Sequence, residues 1–251
     1  MQSNVLVADN YSVKVNCNIV GDYVINKEGI YNLKYECSDE ALNKNVKDFN
    51  LYVVKEFTAS KTSKNYLYYD DLLKYGDKDT LVIDVSKWNS DIDWKKVSEN
   101  FKYALIRIGT QKDFGLDSKL DNYFEKNIKE ATRNGVKVGV YYYSYAKNVN
   151  EAYDQAMFVL DNIKDYKLDL PIVFDWECFK YYNLLDINIH DLNMIADKFL
   201  STIKEHGYDV MLYSSKVYLE NFWKYIDYDV WLAHYTNKTN YEGKFVLFLE
   251  M

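Results

Sequence analysis

The chain has 251 residues, enough for one large domain or for a medium domain with a small companion. Hydrophobic residues make up 48% of it and charged residues 27%, so a folded globular core is expected. The net charge of -7, with no Lys/Arg-rich run, excludes recognition of a nucleic-acid backbone, which needs clustered cations. Met1 to Asn10 offers neither a basic start nor a long apolar stretch, so no signal peptide is expected. No segment is long and apolar enough for membrane insertion. Three cysteines are too few and too scattered for a disulfide framework or a zinc site. Cys17 and Cys37 are left open between a bridge across a small β-domain and two buried thiols. Cys178 has only His190, His206 and His234 as possible bases and no supporting pattern for a thiol nucleophile.

In chain order, residues 1–56 alternate in the manner of strands at Tyr11–Cys17, Gly29–Cys37 and Phe49–Val54, separated by polar or glycine-containing turns. That pattern predicts a small antiparallel sheet without helices. The series Gly29-x-Tyr-x-Leu-x-Tyr, followed by Ser38-Asp39 and a last strand, resembles the second half of bacterial immunoglobulin-like modules. Residues 57–79 are polar and aperiodic and read as a linker. From Thr80 to Met251, apolar strands such as Leu81–Ile83, Tyr103–Ile108 and Val136–Tyr143 alternate with helical stretches at 120–134, 150–164, 190–206 and 216–225. Over 120–134, Leu120, Tyr123, Phe124, Ile128 and Ala131 follow the three-and-four spacing of one buried stripe. Repeated strand-helix units predict an α/β fold with a parallel sheet, open or closed into a barrel, and chemistry at its C-terminal strand ends.

The run Leu170–Glu177, Leu-Pro-Ile-Val-Phe-Asp-Trp-Glu, reads as a buried strand ending in two carboxylates. Strand side chains repeat every second residue, so Asp175 and Glu177 leave one face. Two acids in one pocket repel, which raises the pKa of one and keeps the other ionised, the pairing a glycosidase uses. A second apolar strand, Leu81–Val85, carries Asp84 at its end, and in a parallel sheet its end lies on the same side.

These residues belong to a longer ordered series. Asp84 and Ser86 form an Asp-x-Ser opening, followed by Ile92-Asp93-Trp94 and by a strand ending in Arg107. Next come Asp121, Tyr123, Phe124 and Asn127 at a helix start, then Gly139, Tyr141 and Tyr143, then Asp175 and Glu177. Tyr213-Ser214 and Trp231-Leu-Ala-His-Tyr235 complete it. In this order, residues 80–250 resemble the family 25 glycoside hydrolases, lysozymes of phage and bacterial origin that cut peptidoglycan.

The resemblance implies a flattened TIM-like barrel of eight strands with fewer than eight helices. It implies Glu177 as the general acid, with a pKa raised by neighbouring negative charge, and Asp84 and Asp175 as flanking carboxylates. Tyr143, Trp176, Tyr213 and Tyr235 are candidates for stacking on or hydrogen-bonding sugar rings, whereas Tyr141 and Trp231 read as core. Arg107, a guanidinium inside a strand, is expected to be a buried charge partner of the acidic mouth and to line the substrate site. No metal or organic cofactor is implied. The implied substrate and partner is bacterial peptidoglycan, cut at the β-1,4 bond between N-acetylmuramic acid and N-acetylglucosamine, with an extracellular or cell-wall location. The family's closing strand, which carries a further Asp, has no counterpart after Glu250, so a catalytically impaired glycan-binding protein is the alternative. Oligomeric state is not encoded in these patterns.

Overall fold

In the computed structural model, the described residues are 5–56, 79–233, 240–243 and 246–248, the last as backbone only. They fall into two compact units, Met1–Asn65 with Tyr182–Ile189, and Tyr66–Tyr181 with His190–Met251.

The first unit is an antiparallel meander of β1 (Asn16–Val20), β2 (Gly29–Ser38) and β3 (Lys44–Val53), in the order β1-β2-β3. The first predicted strand therefore starts later than the alternation at Tyr11 implied. Cys17 faces Cys37 across the β1–β2 ladder, and the two form a disulfide, which settles the open pairing. Leu33 is buried on the same face, and Tyr35 stacks on Phe49 at a centroid separation of 4.2 Å. Asp39 shapes the β2–β3 turn by accepting the Asn43 backbone N–H at 2.7 Å, which lets Leu42 hold a positive φ of 67°. Residues 182–189 belong to this unit because Asn183 donates to the Val5 carbonyl and accepts from the Val7 N–H, while Asn188 donates to the Tyr11 carbonyl. Three antiparallel strands are present, the small antiparallel sheet that the alternation predicted for this region.

The second unit contains β4 (Val82–Val85), β5 (Tyr103–Gln111), β6 (Ser118–Leu120), β7 (Lys137–Tyr143), β8 (Ile172–Asp175), β9 (Val210–Ser215), β10 (Asp229–Ala233) and β11 (Val246–Phe248). Five α-helices accompany them among the described residues: α1 (Trp94–Asn100), α2 (Phe124–Arg133), α3 (Val149–Ile163), α4 (Ile189–Glu205) and α5 (Lys216–Asn221). The sheet order is β11-β10-β9-β8-β7-β5-β4, all parallel, with β6 antiparallel on β5. Strand-helix alternation on a continuous apolar run such as Ala104–Ile108 produces this arrangement, because both faces of each strand are covered.

The sheet is curled. Strands β7 and β10 are three positions apart, roughly 14 Å in a flat sheet at 4.7–4.9 Å per strand, yet the rings of Tyr141 and Trp231 meet edge to face at 6.0 Å. Leu105, Tyr141, Val173, Met211, Tyr213 and Trp231 form one cluster on the inner face, with Val82 packed against it. Gly139 on β7 allows this closeness, since a Cβ there would lie 2.5 Å from the Pro171 carbonyl oxygen and 2.9 Å from Leu105 Cδ2. Among the described residues no ladder joins β4 to β11, so the architecture is a curled parallel half-barrel.

Helix α2 begins at Phe124, later than the predicted 120. Ser118–Leu120 pairs with Gly109–Gln111 as β6, and Asp121 occupies the turn between them. Phe124, Asn127, Ile128 and Ala131 are its buried stripe.

Candidate active site

Strand alternation brings Asp84, Tyr141, Tyr143 and Asp175 to the C-terminal end of the inner face. Asp175 ends β8, opposite Tyr143 on β7 and Tyr213 on β9. Asp84 lies on β4, with Ser86 and a short helical turn at Lys87–Asn89 directly beyond it. Glu177 lies two residues past Asp175, and it is exposed where Asp175 is buried.

Two tyrosines tie the three acids together. Tyr141 donates its hydroxyl to Asp84, and its phenol is pushed far above the ordinary tyrosine range by burial first and then by the charges of Asp84 and Asp175. Tyr143 is pushed upward in the same order of causes, by burial and then by Asp175 and Glu177. Both phenols therefore stay protonated at neutral pH. Cys178, buried and facing the same two charges, has its thiol pushed up to about 12, and it donates to the Ser144 carbonyl at 3.7 Å. Such a thiol carries no thiolate at neutral pH, which agrees with discounting it as a nucleophile.

The approach to Asp84 is fixed from below by Asp121. One of its oxygens accepts the Arg107 Nε–H at 2.8 Å and the Lys87 backbone N–H at 3.0 Å. Its other oxygen accepts the Tyr123 N–H at 2.9 Å. Arg107 Nη2 lies 2.6 Å from Asp121, and the acid's side chain is 1% exposed. Ser86 accepts the Trp88 N–H, while its own N–H donates to Asn89 Oδ1 at 2.9 Å, which closes the turn beyond Asp84. The partner of Arg107 is thus Asp121, a residue that the sequence reading placed only in a helix-start motif. Its signal was present, since an acid at a turn next to a buried strand arginine needs a cation.

Of the expected sugar-binding aromatics, Tyr143 is half-buried at the site, with its ring edge to face with Tyr145 at 5.3 Å. Tyr213 sits beside Asp175 in the ladder but is packed edge to face on Trp231 at 4.9 Å within the inner cluster. Tyr141, read as core filler, is buried as expected and in addition holds Asp84. Tyr235 and His234 lie outside the described residues.

Trp176 is placed apart from the acids. Its ring is 0% exposed, lies between Phe179 and Trp223, and its indole N–H donates to the Ala146 carbonyl at 2.9 Å. No face of the indole is left for a sugar, because alternation turns it to the side opposite its two acidic neighbours. Trp176→Ala is accordingly expected to cost about 3–5 kcal/mol in urea denaturation, the range for a fully buried aromatic; a loss under 1 kcal/mol would show that the ring is not part of the core.

The model of Glycosyl hydrolases family 25 matches residues 83–247, which include Asp84, Asp175 and Glu177. The uncharacterized protein YegX of Escherichia coli is 27% identical over 162 residues, 61% of this chain and 55% of that protein. The chain thus spans about half the length of the curated relatives it matches. A family 25 glycosyl hydrolase from Bacillus anthracis superimposes with a TM-score of 0.54 at 24% identity, covering 65% of this chain and 75% of that one. The modular autolysin LytC from Streptococcus pneumoniae, in complex with a synthetic peptidoglycan ligand, gives a TM-score of 0.54 at 24% identity, covering 83% of this chain and 49% of that one. These solved structures share the curled parallel sheet, and the family match over most of the second unit shows that the chain belongs to glycosyl hydrolases family 25.

Proposed function

We propose that this chain is a muramidase that hydrolyses the β-1,4 bond between N-acetylmuramic acid and N-acetylglucosamine in bacterial peptidoglycan. The observation that carries the reading is the gathering of Asp84, Asp175 and Glu177 around the two protonated phenols of Tyr141 and Tyr143. Glu177, exposed at the mouth, is the group positioned to meet a glycosidic oxygen from solvent and protonate it as the bond to the anomeric carbon breaks. Buried Asp175 and the tyrosine-held Asp84 supply negative charge against the oxocarbenium-like transition state. Tyr141 orients Asp84, and Tyr143 feels the charges of both Asp175 and Glu177. The LytC complex with a peptidoglycan ligand supports the substrate class by likeness of fold.

The cystine of the first unit fits an oxidising compartment and so an extracellular or wall-bound place of action. The three-stranded unit serves on this reading as an immunoglobulin-like spacer or wall-docking module. Among the described residues no helix is long and apolar enough to cross a membrane.

The test is digestion of purified peptidoglycan, with new reducing ends counted and the products identified by mass. Fragments ending in reducing muramic acid support the reading. Fragments ending in reducing N-acetylglucosamine would replace it with a glucosaminidase. Pelleting with the wall but releasing nothing would leave a glycan-binding protein.

A further inference from the structure

Beside the acids, on the β5–β6 side of the strand ends, lies a groove of about 610 Å³ that shares Tyr143 and Arg107 with them. Its walls carry the opposite charge. Lys87, Lys112 and Lys119 line it, all exposed, with Trp88 and Tyr145 between them. The Lys87 ammonium sits 4.9 Å from the centre of the Trp88 ring, and that ring is 78% exposed.

Arg107 is neutralised by Asp121, whereas the three lysines enter no ion pair among the described residues. In a chain of net charge -7, three unneutralised cations in one aromatic-lined groove mark a place for an anion. Its volume lies within the range of about 300–1,000 Å³ for small-molecule sites.

We infer that this groove binds the carboxylates of the stem peptide carried by the muramoyl sugar, while the glycan itself lies over the acids. The inference rests on the muramidase reading for the identity of the glycan. The glycan backbone has no free charge once its lactyl group is in amide linkage, so the anion that reaches the lysines must come from a substituent. The peptide branches from the muramoyl ring next to the scissile bond. Tyr143, shared by the acid cluster and the groove, is where the branch leaves the glycan. Anionic wall phosphates offer similar chemistry but are not tied to the position of the scissile bond.

The experiment compares the full chain with Lys112→Ser/Lys119→Ser on peptidoglycan freed of phosphate polymers, with its stems intact or removed by an amidase. Calorimetric binding of a soluble disaccharide-peptide and of the same disaccharide without peptide runs in parallel. The expected result is a KM, and a Kd for the peptide-bearing ligand, about tenfold higher in the variant, the order of two exposed ion pairs. The difference should shrink at high salt, with kcat and the stem-free ligand unaffected. Equal losses on both ligands, or no loss on either, would overturn the groove assignment. Loss seen only when wall phosphate polymers are restored would overturn it in favour of those polymers. Absence of turnover in the parent would sink the muramidase reading alone, because the calorimetric comparison decides the groove separately.

Discussion

Glu177→Gln is expected to slow the release of reducing ends from peptidoglycan by about 10²–10⁴-fold, the contribution of a positioned general acid. The substitution keeps the shape of the side chain and removes its ability to give up a proton. Because Glu177 is exposed, the folded state should be indifferent to the change, and the urea midpoint should stay within experimental error of the parent's. Asp175→Asn is expected to lose activity as well, but from a buried position facing Tyr141 and Tyr143, so its denaturation curve should also move. The contrast between the two variants separates proton donation from charge placement. A loss of less than tenfold for Glu177→Gln, with the same products, would remove it from the acid role and turn attention to Asp84.

Asp121→Ala is expected to cost about 3–5 kcal/mol of stability, the range for breaking a buried ion pair by removing one partner. The carboxylate receives the Arg107 guanidinium and the backbone N–H groups of Lys87 and Tyr123, so its removal strands a buried cation and two donors at once. Activity should fall further than the folded fraction accounts for, because the Lys87 N–H is the anchor of the turn that follows Asp84. Replacing both partners, as Arg107→Met/Asp121→Leu, should recover most of the stability by removing the uncompensated charge, and little of the activity. Equilibrium urea unfolding checks both variants. A change below 1 kcal/mol for Asp121→Ala would mean that water reaches Arg107 and satisfies it.

What the sequence by itself determined here is what local periodicity dictates. The alternation of a strand put Asp175 and Glu177 within reach of one another, and the acid at Asp84 was legible as the end of a second apolar strand. The runs from Tyr103 and Val136 were legible as buried strands because both faces are apolar, and the helix following Asp121 because its stripe recurs at three and four residues. The tertiary structure decided whatever depends on distant partners. Arg107 found Asp121 because β6 folds back on β5, which a predicted helix from Leu120 had hidden. Tyr141 reaches Asp84 across two ladders, β7 to β5 and β5 to β4, a pairing with no trace in either strand's pattern. Trp176 looked like a sugar platform because it stands between two acids, but residues adjacent on an extended chain face opposite sides. Its side is closed by Phe179 and Trp223. Periodicity fixes the face on which a side chain leaves the backbone; the curl of the sheet and the packing of helices determine what it meets there.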